Sequence, residues 1–335
     1  PVADTVGLAR AASFLAGAIV SFGDEAATGE LISLALDAAR ASDDRWSEAA
    51  ALSTRAMLAH IRNDLPALER DARRCAELFG EVGDAWGALQ GTDWLIALAD
   101  LTGDHPQAAR MAEADLRTAE ELGLWPEAAG RVGWLAWTSM QLADYPRARE
   151  YGRRARRLAA EQGQHPGEVF ATLSVAFAAR RGGDLDEAEE HLRWLLASAR
   201  DQQSAEASPP YLTMVLVELA LLLVQRGDPG AALELLGEAL DASGDPDAGH
   251  GPAPALLGLA AALAADGRPG AAAQLLGAAE RARRAGPALS ASDRAEVERI
   301  TAAVRAAEPD FAALFARGAE LPPEQARALV QRVRA

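Results

Sequence analysis

A six-residue segment that returns at a fixed interval limits what this chain can fold into more than any other feature. Its copies Gly183-Asp184-Leu185-Asp186-Glu187-Ala188, Ala143-Asp144-Tyr145-Pro146-Arg147-Ala148 and Gly103-Asp104-His105-Pro106-Gln107-Ala108 stand an equal step apart. Weaker copies begin at Asn63 and Gly23 upstream. Downstream, one begins slightly late at Gly227, and one at Gly267 resumes the step. A fixed period of roughly 40 residues is the signature of stacked supersecondary units, each too small to bury its own apolar face.

The chemistry of the hexad explains its job. Gly or Asn ends a helix in a left-handed conformation, and the following Asp caps the next helix by accepting from its free N–H groups. Pro is tolerated in the first helical turn, where its missing donor costs nothing. The closing Ala lets two helices approach closely. Each hexad is therefore the turn of a helical hairpin, with a helix A before it and a helix B after it. Helices A are expected over 5–22, 46–61, 86–101, 127–142, 167–181, 211–226 and 255–265.

Their apolar residues recur at i, i+3, i+4 and i+7, one buried helical face. Ala12, Leu15, Ala16 and Ile19 form this stripe in the first repeat. Leu216, Leu219, Ala220 and Leu223 form it in the sixth, and Leu256, Leu259, Ala260 and Leu263 in the seventh. Arg55 interrupts the second and is expected to snorkel or pair. Helices B match with Ala148, Gly152 and Ala155, with Ala188, Leu192 and Leu195, and with the equivalents from Ala232 and Ala272. The polar, proline-bearing stretches 201–210 and 243–254 read as mobile loops. The period ends at Gly286-Pro287. Beyond it, Ser292-Asp293 is expected to cap a helix to about Ala307, with Glu296 as capping-box partner of Asp293. Pro309 stops that helix, a short one follows over 311–317, and Pro322-Pro323 opens a last one.

Composition narrows the function. Half of the 335 residues are hydrophobic and only 5% aromatic, and β-branched runs are absent, so the chain reads as all-α. The formal net charge of −16 argues against nucleic acid as a direct partner of this segment. Every basic residue other than the five histidines is Arg, which removes a P-loop lysine and any Schiff-base or general-base lysine. The single cysteine, Cys75, excludes an intrachain disulfide and points to a reducing, cytoplasmic compartment. No apolar run reaches membrane-spanning length and no signal peptide opens the chain. Its start at Pro1 reads as a fragment cut from something longer.

His60, His105, His165, His191 and His250 lie in separate segments, and none shares metal-ligand spacing with another ligand residue. Pairs such as Glu189-Glu190 read as solvated faces, and no Ser or Cys nucleophile has a local signature. The expectation is a protein without catalysis, cofactor or metal. The cluster Arg153, Arg154, Arg156 and Arg157, late in a helix B, reads as a solvated convex face, with an intramolecular docking patch for an acidic domain as the alternative.

The hairpin hexads resemble tetratricopeptide repeats (TPR), in a long variant of about 40 residues per repeat. The segments Ala273-Gln274-Leu275-Leu276-Gly277-Ala278-Ala279-Glu280, then Asp293-Arg294-Ala295-Glu296-Val297-Glu298-Arg299, then Phe311-Ala312-Ala313-Leu314-Phe315-Ala316-Arg317-Gly318-Ala319 are similar to the C-terminal end of large actinobacterial regulators. These are the antibiotic-regulatory proteins and LuxR-like relatives built on a STAND-type ATPase. The resemblance implies an all-α, TPR-like right-handed superhelical solenoid of about seven hairpins over 1–285, with C-terminal capping helices over 286–335. It implies the sensor and regulatory domain of a transcriptional activator, which binds a protein segment or small effector and controls separate ATPase and DNA-binding modules. A free-standing TPR scaffold that assembles proteins is the alternative.

In a TPR hairpin helix A lines the concave surface. The family's groove phases select His60, Asp93 and Asp100 in the second and third repeats. In the fourth to sixth they select Trp137, Met140, Phe170, Phe177, Arg180 and Met214. An aromatic and Met-rich patch flanked by Asp and Arg has the composition of a recognition surface. Trp137, Phe170 and Phe177 are expected to converge on one wall, with Asp100 and Arg180 orienting a partner. Packing of the same side chains into a tight superhelix core is the competing expectation.

Overall fold

The computed structural model describes residues 4–20, 25–202, 209, 211–242, 252–284, 288–322, 325 and 329, and among them all regular structure is helical. The chain divides within one helix into two compact units, Pro1–Leu135 and Ala136–Ala335. The first holds α1 (Thr5–Val20), α2 (Glu25–Ala41), α3 (Arg45–Ile61), α4 (Leu65–Val82), α5 (Ala85–Leu101), α6 (His105–Glu121) and most of α7 (Trp125–Gln141). The second holds the end of α7, then α8 (Tyr145–Glu161), α9 (His165–Arg181), α10 (Leu185–Gln202), α11 (Leu212–Gln225) and α12 (Pro229–Ala242). It continues with α13 (Ala253–Ala265), α14 (Pro269–Arg283), α15 (Ala291–Ala307) and α16 (Phe311–Glu320). Neighbouring helices pair as hairpins, α1 with α2, α3 with α4 and α5 with α6 in the first unit, and α9 with α10, α11 with α12 and α13 with α14 in the second. The architecture is an all-α, TPR-like helical solenoid.

The turns close by one backbone mechanism, to which most add an Asp cap. At the third hexad the Asp104 amide donates to the Ala99 carbonyl at 2.8 Å and the Gly103 amide to Asp100 at 2.9 Å, which satisfies carbonyls that the ending helix leaves free. Asp104 then accepts from the Gln107 amide at 3.0 Å and caps α6. The device recurs at half the hexad spacing: positive φ is found at Asp43, Asn63, Gly83, Gly103, Gly123, Ala143, Gly163 and Gly183. The turns between hairpins therefore use the same left-handed residue as the turns within them. Ala143, at φ 64°, carries a Cβ where most of its equivalents have none. Ala143→Gly is expected to stabilise the second unit by about 1 kcal/mol, read from the urea midpoint.

The apolar stripes are buried as read. Leu216 and Leu259 are fully buried, as are Ala148, Ala188, Leu192, Leu195, Leu236 and Ala239 on the B helices. Leu15 is the exception, 47% exposed beside Phe14 at 77%. A solenoid stripe is covered by the hairpins before and after it, and among the described residues α1 packs chiefly on α2 and α3. Arg55 pairs as expected, in a forked contact to buried Asp71 at 2.7 and 2.9 Å.

The stretches read as loops fall largely outside the described residues, as do Gly286-Pro287, the start of the first hexad and most of the last expected helix. The start of α15 differs from the expectation. Ser290, not Ser292-Asp293, is its N-cap, accepting from the Asp293 amide at 3.0 Å, and Glu296 turns away to Arg180 of α9. The helix ends at Ala307, as Pro309 requires, and α16 runs to Glu320, about one turn longer than expected. It seats on α14 backbone to backbone: a Cβ on Gly318 would lie 1.9 Å from the Gln274 carbonyl oxygen.

Candidate functional site

In the first unit, helices A are tied to one another by an indole ladder that keeps the period of the hexads. Trp46 Nε1 donates to Asp84 and Trp86 Nε1 to Glu127, both at 2.6 Å, while Trp94 Nε1 donates back to Ser53 at 3.0 Å and Trp134 Nε1 to Asp93 at 2.9 Å. The equal spacing of Trp46 to Trp86 and of Trp94 to Trp134 is the sequence signal that could have found this ladder. Asp93 also accepts from Arg131, a buried side chain that reaches Asp115 at 3.2 Å and the Leu89 carbonyl at 2.7 Å. Burial pushes the Asp115 carboxyl up to about 6 despite the opposing Arg131 charge. The His60 ring lies tilted against Trp94, ring centroids 5.8 Å apart, and Asp100 contacts His105 Nδ1 at 3.1 Å. Asp93, Asp100 and His60 are thus half-buried members of contacts within and between repeats.

In the second unit the aromatic residues do come together. The Trp137 ring lies 5.9 Å from Phe170 and 6.2 Å from Phe177, and the Arg181 guanidinium stands 5.9 Å over Phe177. They do not form an open wall. Phe177 is 3% exposed, Met140 1% and Arg180 0%, while Trp137, Phe170 and Met214 are half-buried. Every residue of α9 from Ala171 to Arg180 is buried. For Arg180 the expectation of an exposed partner-orienting group is corrected: its partners belong to the same chain.

Arg180 Nε donates to Glu218 of α11 and Nη1 to Glu296 of α15 at 2.9 Å. Arg181 Nη2 donates to Glu218 at 2.7 Å, and its Nη1 to Ser292 at 2.7 Å and Asp293 at 2.8 Å. The Tyr145 hydroxyl lies 3.1 Å from Ser292 Oγ. At Arg180, the last groove-phase position of α9, the N-terminal half of α15 therefore lies over the face that the groove phases select. Burial opposes both guanidinium charges, yet Glu218 with Glu296 or Asp293 outweighs it and raises both arginines. Burial likewise disfavours the Glu296 carboxylate, and Arg180 with Arg299 overrides it and holds the group at about 2. Arg181 stands one residue beyond the groove-phase position Arg180, and neither it nor Glu218 is among the residues that the groove phases select. Nothing local in the sequence ties them to α15.

Two arginines of the α8 cluster reach across to α10, Arg153 to Glu187 and Arg156 to His191 Nδ1 at 3.3 Å. Cys75 is buried, and burial pushes its thiol up to about 12, far from a reactive thiolate. Among the described residues no three His, Cys, Asp or Glu side chains are placed to hold a metal ion, and no helix is long and apolar enough to cross a membrane.

No family model matches the chain. Its curated relatives include proteins of Mycobacterium tuberculosis and Mycobacterium bovis whose names propose an HTH-type transcriptional regulator. They are 27% identical over 219 residues, 62% of this chain. The match spans 23% of the length of these relatives. Among solved structures, NprR in complex with its cognate peptide NprX aligns over 98% of this chain and 92% of its own, with TM-score 0.63 and 12% identity. A Rap protein complexed with Competence and Sporulation Factor aligns over 92% and 76%, with TM-score 0.59 and 15% identity. The STAND protein PH0952 of Pyrococcus horikoshii, which has a tetratricopeptide repeat sensor, aligns over 88% and 44%, with TM-score 0.54 and 14% identity. These likenesses are of fold.

Proposed function

We propose that the chain is the sensor and regulatory domain of a larger cytoplasmic transcriptional activator, and that it binds a protein segment or peptide effector on its A-helix face without catalysing a reaction. One observation carries this reading. The face formed by α9 and α11 already holds a helical segment from far along the chain, through charge-assisted contacts of Arg180 and Arg181. A surface that holds one helix by side-chain forks is suited to holding another. The mycobacterial relatives support the regulatory context, since the match is one module within much longer chains. The peptide complexes of Rap and NprR support a peptide as the class of effector. The ATPase and DNA-binding modules would be controlled from this domain and supply the contact with DNA, since this segment is strongly acidic.

The test is transcript sequencing after deletion of the gene that encodes the chain, with the intact gene restored as control. A confined set of transcripts is expected to change about tenfold or more and to recover on restoration. Unchanged transcripts would overturn the regulatory reading and favour an assembly scaffold.

A further inference from the structure

The buried side of α15 is Ser292, Glu296, Ile300 and Val304, a stripe with a four-residue step that changes character halfway. Ile300 and Val304 join the apolar core of the second unit. The two residues before them meet α9 and the start of α8 through polar atoms: Glu296 on Arg180, and Ser292 on Arg181 and Tyr145. Asp293 adds a second carboxylate on Arg181, one helical turn before Glu296. The N-terminal half of α15 is thus held as a ligand is held, by paired charges, and the C-terminal half as a core helix is held.

Three further observations point the same way. The start of α15 is capped from within, the Ser290 hydroxyl and Asp293 satisfying each other, so its first turns need no neighbour to stay helical. The floor beneath it, Arg180, Arg181 and Glu218, carries a formal charge of +1 inside a chain of net charge −16. Among the described residues Arg180 Nη2 and Arg181 Nε find no hydrogen-bond partner although both are buried, so α15 leaves two donors of this floor unused.

We propose that the N-terminal half of α15 is a releasable occupant of the α9–α11 face, and that the segment replacing it is an acidic protein helix presenting two carboxylates one turn apart to Arg181 and Arg180. Charge selects such a segment. Glu218 is already shared between the two arginines, so the floor accepts carboxylates and rejects a basic peptide. A competing helix that also reaches Arg180 Nη2 or Arg181 Nε satisfies donors that α15 does not, which gives it an advantage over the tethered occupant. The proposal rests on the peptide-binding reading of this face. Its test uses only the purified chain, so its failure leaves the transcript experiment standing.

The probe is a fluorescein-labelled peptide with the sequence of residues 290–307, followed by anisotropy against the wild-type chain and against an Asp293→Asn, Glu296→Gln variant. The variant weakens the tethered occupant and leaves the arginine floor intact. It is expected to bind the peptide about tenfold tighter than wild type or more, with affinity falling as salt rises. A peptide carrying the same two substitutions is expected to bind neither protein. Equal binding to wild type and variant, or no binding to a variant with native circular dichroism, overturns the proposal. Should the variant fail to fold, hydrogen exchange of the wild-type chain decides. Amides in the first two turns of α15 are expected to exchange about a hundredfold faster than those of α13, and equal protection overturns the release.

Discussion

Replacement of Arg180 by methionine is expected to destabilise the second unit by about 3–5 kcal/mol, the range for breaking a buried ion pair from one side. The side chain is fully buried and bridges three elements, α9, α11 and α15. Methionine fills much of the volume but removes the charge, leaving Glu218 to Arg181 and Glu296 to Arg299, whose side chain is 46% exposed. Glu296 is the more stranded of the two, since a half-exposed partner compensates a buried carboxylate poorly. A second substitution, Glu296→Leu, is therefore expected to recover part of the loss, with a coupling of about 1–3 kcal/mol between the two sites. Urea unfolding of the single and double variants measures this. A loss below about 0.5 kcal/mol for Arg180→Met would mean that the buried network adds almost no net stability.

The same network marks where local pattern stops being informative. The turns are legible because the left-handed residue, the Asp cap and the Pro in the first turn act within one short segment. The stripes are legible because helical periodicity is a local property. Leu15 departs from it because, among the described residues, no hairpin covers α1 from its other side. The groove phases find Trp137, Phe170 and Phe177, whose rings do meet, because equivalent positions in a repeat array face equivalent neighbours. They cannot show that a non-repeating helix lies over that face. Arg180 and Glu296 are 116 residues apart, and nothing near either names the other. The place of Glu296 three residues after Asp293 imitates a capping box. The true cap, Ser290, stands three residues before Asp293, which frees Glu296 to face Arg180 one turn further along the helix. The indole ladder escapes sequence reasoning for a different reason: Trp46, Trp86, Trp94 and Trp134 stand outside the hexads and outside the groove-phase residues, so neither pattern exposes the period they keep among themselves.

Acidification is expected to act on the two units with opposite sign. In the second, Glu296 faces Arg180 and Arg299, with Arg181, Glu218 and Asp293 in the same network, and is held at about 2 against an ordinary 4.5. A depressed carboxyl contributes its stability in full above its unfolded value and loses it as pH falls toward the folded one. About 3 kcal/mol should therefore disappear between pH 4.5 and 2 as α15 loses its hold on α9. In the first unit Asp115 faces Arg131, with Asp93 on the other side of that guanidinium, and burial pushes it up to about 6 against an ordinary 3.8. A raised carboxyl costs stability when ionised, so the first unit should be firmer near pH 4 than near pH 7, by about 2 kcal/mol. Hydrogen exchange corrected for its intrinsic pH dependence separates the two. Protection in α6 and the first part of α7 should rise as pH falls from 7 to 4, while protection in α15 holds and then drops below pH 4.5. A parallel loss in both units over the whole range would mean that neither buried carboxyl sets the acid response, and that general charge repulsion does.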